Sequence, residues 1–141
     1  MKPIHIFVMI TIIAALLSAC AGSGLAGEPD LEGATWLLTA YRDTPPLEGT
    51  QLTIQFTDGQ VSGNASCNHY GGSYLIRGGE ISFSGIFHTE MACQDPVGIM
   101  NQEQIYLDLL GSADRFELAD GVLTLFSGSN QVLTFEMQKG G

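Results

Sequence analysis

Apolar and polar residues alternate along much of this chain. Leu52, Ile54 and Phe56 alternate with Thr53, Gln55 and Thr57, the period-two pattern of a half-buried strand. Asp58-Gly59 follows and suits the positive φ values of a two-residue hairpin, so Val61 to Ser66 is expected to pair back. The same arrangement recurs twice. Tyr74 to Arg77 and Glu80 to Ser84 flank Gly78-Gly79, while Phe116 to Leu118 and Leu123 to Leu125 flank Asp120-Gly121. Val132 to Met137 makes a last strand after the Ser127 to Asn130 turn, and Trp36 to Arg42 makes a first one, stopped at Pro45-Pro46. Eight short strands joined mostly by short turns predict antiparallel neighbours.

One stretch changes period. Ile99, Met100, Tyr106, Leu107 and Leu110 recur at spacings of three and four, the signature of an amphipathic helix. Asp95 as N-cap, Pro96 at the first helical position and Gly111 as terminator predict about 15 helical residues between strands five and six. The fold class expected is mainly β with one helix (α+β). About eight antiparallel strands would form a curled sheet or partial barrel, with the helix packed over its open side.

The N-terminus follows different rules. Lys2 precedes an apolar run from Ile6 to Leu17, interrupted only by Thr11, and Leu17-Ser18-Ala19 leads into Cys20. The run is too short to span a bilayer and suits an export signal. Its ending resembles the lipobox of bacterial lipoproteins, which implies cleavage before Cys20 and acylation there. The expected organisation is a signal peptide over residues 1–19, a lipidated flexible tether over 20–30, and one domain over 31–139. The tether, rich in Gly and small residues, reaches at most ~35 Å. Ala21 rather than Asp follows the cysteine. By the sorting rule of enteric-type lipoproteins, this implies an outer membrane, facing the periplasm, if the host is Gram-negative. Localisation is therefore expected in the cell envelope, with the lipid bilayer as a partner through acylated Cys20.

Composition now reads more simply. The mean hydropathy of +0.18 is raised by the signal segment, and the formal charge of −10 becomes one unit more negative when Lys2 leaves. An acidic chain with pI near 4.3 argues against nucleic acid and against electrostatic docking on anionic lipid. If Cys20 carries lipid, Cys67 and Cys93 remain in an oxidising compartment. A bridge between them would stabilise the domain by about 3–4 kcal/mol. Two buried free thiols, or a zinc set completed by His69 and His88, are the alternatives. No nucleophile elbow, metalloprotease motif or phosphate loop occurs, so no cofactor, metal or catalytic residue is expected.

The most distinctive residues are Gly63, Cys67-Asn68, Gly72-Ser73-Tyr74, Thr89-Glu90-Met91-Ala92-Cys93 and Met100-Asn101-Gln102-Glu103, leading to Leu107 and Leu110. With Leu31 to Trp36 in front, they resemble the META domain, the family of the HslJ-type heat-shock proteins, over residues 31 to about 138. Ser66 stands where Gly or Ala is frequent, a departure that touches packing more than function. The resemblance implies a small barrel-like domain with a helix and no catalytic site to carry over. It also links the chain to heat stress, antibiotic tolerance and, by shape, pilotin-type lipoproteins. Trp36, Gly63, Asn68, Gly72, Tyr74, Thr89, Met91 and Glu103 are then structural motif residues. Glu103, near the apolar helix face, is expected to bond a backbone donor or a Tyr; Trp36, Tyr74, Phe83, Phe87 and Phe116 are expected mostly in the core. Two functional readings follow: a monomeric, non-enzymatic envelope module that binds a protein partner, or a carrier of a small apolar ligand or acyl chain inside the sheet.

Overall fold

The computed structural model describes residues 30–138. The signal segment, Cys20 and nearly all of the tether lie outside the described residues. The strands are β1 (Thr35–Tyr41), β2 (Thr53–Thr57), β3 (Gln60–Asn64), β4 (His69–Arg77) and β5 (Glu80–His88), then β6 (Arg115–Ala119), β7 (Val122–Ser127) and β8 (Asn130–Met137). One helix, α1 (Ile99–Ser112), separates β5 from β6. Each strand pairs antiparallel with the next, and β8 returns to β1 through pairs such as Leu38↔Phe135. The sheet therefore curls into a barrel-like ring. Its weakest join is β5–β6, where Glu80↔Arg115 is the single register pair.

The hairpins at Asp58-Gly59 and Asp120-Gly121 form as the alternation predicts, with positive φ at all four residues. Inward positions meet across the strands: Trp36 faces Ile54, Phe56 faces Val61, and Leu123 faces Phe135. Trp36, Phe56, Leu123, Leu125, Leu133 and Phe135 are fully buried, and Tyr106 from α1 joins them. α1 packs against β5, β7 and β8.

The helix departs from expectation at both ends. Asp95-Pro96 lies in the preceding turn, where the Pro96 carbonyl accepts from Ile99 N–H, and the N-cap is Gly98 at φ +93°. That backbone state suits glycine, so the helix starts three residues after Pro96. Gly111 stays inside the helix. The chain leaves at Ala113, which is buried and extended because it must turn directly into β6. β4 and β5 are longer than the alternation suggests, since both continue through Gly-rich and weakly apolar residues.

The up-and-down order gives the ring two unlike rims. One carries the 58–59, 78–79 and 120–121 turns together with chain entry and exit, where Gln138 N–H donates to the Thr35 carbonyl. The other carries the β1–β2 loop, the β3–β4 turn, the β5–α1 loop and the start of α1.

Candidate functional site

The motif residues converge on the second rim. In the β3–β4 turn, Ala65 N–H donates to the Asn68 carbonyl and Ser66 N–H donates to Asn64 Oδ1. This tight turn places Asn68, which is 1% exposed, inside the rim. Its side-chain amide then acts as a short piece of strand. Oδ1 accepts from Met91 N–H at 2.7 Å, and Nδ2 donates to the Met91 carbonyl at 3.0 Å. Oδ1 also accepts from Thr89 Oγ1, and Nδ2 also donates to Glu103 Oε1, each at 2.7 Å. The amide group has no unused capacity.

Glu103 completes the clasp from α1. Its Oε2 accepts the backbone N–H groups of Asn68 at 2.7 Å and of Cys67 at 3.2 Å. A buried carboxyl is costly unless such donors replace its water, and here three do. The expectation of a backbone donor holds. Cys67 and Cys93 are joined as a disulfide, with Cα atoms 5.9 Å apart. The two thiolates required by the zinc alternative are therefore consumed. His69 and His88 sit exposed on neighbouring strands, and among the described residues no three potential ligands cluster around a metal position.

The buried stripe of α1 runs through Ile99, Gln102, Glu103, Tyr106, Leu109 and Leu110, so Met100 points outward instead. Sequence reasoning missed Gln102. Its Oε1 accepts from Leu47 N–H at 2.6 Å and its Nε2 donates to Thr50 Oγ1 at 3.0 Å, tying the β1–β2 loop to the helix. Its position beside Glu103 in the Met-x-x-Glu motif was the available signal.

Gly63 has a steric role: a Cβ there would collide with the Thr53 carbonyl. That carbonyl accepts from Tyr70 Oη at 3.0 Å, while the Tyr70 and Tyr106 hydroxyls meet at 2.7 Å. Burial raises both phenols above the usual tyrosine range, and the neighbouring Tyr106 raises Tyr70 further. A Cβ at Gly72 would approach Ile86 Cδ1 to 2.6 Å.

Trp36 and Tyr74 anchor the first rim, apart from the clasp. Trp36 Nε1 donates to the Leu31 carbonyl, and the Tyr74 hydroxyl donates to Glu32 Oε1 at 2.7 Å. Desolvation first, then Glu32, pushes the Tyr74 hydroxyl up to about 12. Trp36 and Phe116 are buried as expected, whereas Tyr74 and Phe83 are half-buried. Phe87 is exposed, a correction: its ring lies on the surface beside Gly71, where a Cβ would come within 2.8 Å.

These features define a class: a curled antiparallel sheet closed by one helix and locked at one rim by an Asn–Glu clasp and a disulfide. The META domain profile matches residues 29–140, and the chain belongs to the META domain family. Among solved structures, a protein from Burkholderia xenovorans is similar at 27% identity and a TM-score of 0.65, covering 78% of this chain and 85% of that one. A second NMR structure has 23% identity and a TM-score of 0.62, covering 76% and 91%. A DUF4847 family protein from Bacteroides vulgatus shares the fold at 14% identity and a TM-score of 0.54, covering 79% and 96%. No curated protein gives a significant match.

Proposed function

We propose that this protein is a lipid-anchored, non-enzymatic META module of the HslJ type, held in the cell envelope to bind other envelope proteins during stress or assembly. One observation carries the reading. The chemistry-bearing motif residues Asn68, Glu103, Cys67 and Cys93 are spent on one another and on backbone groups, so the module acts through its surface. The carrier reading gains no comparable support. An acyl chain needs roughly 300 Å³ of apolar space, and the axis of the ring is occupied by Trp36, Phe56, Tyr106 and Phe135. A concavity of about 650 Å³ beside Leu75, Arg77, Glu80 and Arg115 opens on the outer face of β4 and β5 instead.

Two experiments test the proposal. Labelled fatty acid is expected in the wild-type chain and absent from Cys20→Ala, with the variant released from membranes. Unchanged membrane attachment would overturn the anchor. Photo-crosslinkers distributed over the surface in living cells should yield defined protein adducts, and a surface silent everywhere would overturn the binding role.

A further inference from the structure

We infer that the β5–α1 segment is the docking surface of the module, and that its occupant is a polypeptide segment presenting apolar side chains flanked by Lys or Arg. The inference rests on the binding role proposed above and names its site and partner chemistry. Four large apolar side chains on one short stretch face solvent: Phe87 at 68% exposure, Met91 at 53%, Val97 at 89% and Met100 at 38%. Singly scattered exposed hydrophobes are ordinary, whereas four within the fourteen residues from Phe87 to Met100 concentrate exposed apolar side chains along one segment.

The segment is held firmly while these side chains point out. Asn68 grips both the N–H and the carbonyl of Met91, the disulfide holds Cys93, and the Pro96 carbonyl bonds Ile99 N–H. A surface ordered before binding loses less entropy on association. The clasp thus fixes the backbone and turns the methionine of the motif outward, where its flexible thioether can fit an uneven partner.

Charge selects among occupants. Glu90 and Asp95 lie within the segment, Glu48 adjoins Leu47 beside Gly98, and no Lys or Arg occurs from Gly78 to Asp114. A second copy would bring the same acids face to face, and anionic lipid would be repelled. A basic apolar segment satisfies each condition.

The test uses the protein as processed in cells, held in phosphatidylcholine nanodiscs. Its probes are a fluorescent amphipathic Leu/Lys peptide and a Leu/Glu peptide of the same pattern. The Leu/Lys peptide should bind, and the Leu/Glu peptide should not. Combined serine substitution of Phe87, Met91, Val97 and Met100 keeps every charge and should weaken binding roughly tenfold or more. Val97→Ser, at the most exposed position, should weaken it alone without endangering the fold, whereas Leu75→Ser on the outer face of β4 should not. Glu90→Lys with Asp95→Lys should reverse the peptide preference. Unchanged affinity in the serine variants would overturn the inference, as would patch-dependent self-association or capture of phosphatidylglycerol vesicles. Protein crosslinks in cells from other surface positions but none from position 97 would overturn this site and leave the binding role standing. Silence at all positions would remove both.

Discussion

Ser66 adopts φ +96°, a backbone state that L side chains rarely take, and its Oγ is buried without a partner. Its departure from the family pattern points, on sequence alone, to packing. The structure relocates it to backbone strain, because the β3–β4 turn must deliver the Cys67 and Asn68 N–H groups to Glu103. Ser66→Gly should therefore stabilise the domain by about 1 kcal/mol, strain relief outweighing the entropy of a new glycine. A raised urea midpoint with unchanged slope would show this, and a lowered midpoint would refute the strain account. The residue type was legible at position 66. Its dihedral was not, since positive φ at a serine follows from what the turn must reach.

Helix α1 joins two loops that the sequence separates widely. Glu103 holds the β3–β4 turn and the Asn68 amide, and Gln102 holds the β1–β2 loop through Leu47 and Thr50. Glu103→Gln keeps the shape but can direct an amide N–H against donors that need acceptors. It should cost about 2–4 kcal/mol, measured by urea unfolding, while an exposed carboxylate on the same helix, Asp108, should change stability little when made Asn. Equal losses at the two positions would contradict the clasp. The helix was predicted from its period, and its apolar positions Ile99, Tyr106 and Leu110 are buried. Its start was misplaced because the Asp-Pro signal is local, whereas the true N-cap depends on the route taken by the pinned loop.

For the whole molecule, three tyrosines on β4 and α1 couple stability to alkaline pH. The Tyr74 phenol is pushed up to about 12, and Tyr70 and Tyr106 are raised as well, so folded tyrosines keep their protons after unfolded ones lose theirs. The folded state then binds more protons than the unfolded state, and stability falls as pH rises above the ordinary tyrosine value near ~10. Urea midpoints measured across that range should decline. Tyr74→Phe should make the decline shallower. A pH-independent midpoint would show that these hydroxyls are not held as the structure places them.

Alternation of apolar residues and the Asp-Gly turns determine the eight strands, because side-chain period and turn dihedrals act over a few neighbouring residues. The cysteine count likewise made Cys67 and Cys93 a natural pair. Only the folded ring decides what Asn68, Gln102 and Glu103 do. Their side-chain partners lie 21 to 55 positions away along the chain, and a buried polar group is stable only once closure brings those partners within bonding distance. The same closure decides that Phe87 and Met91, apolar in the sequence, face water at the rim.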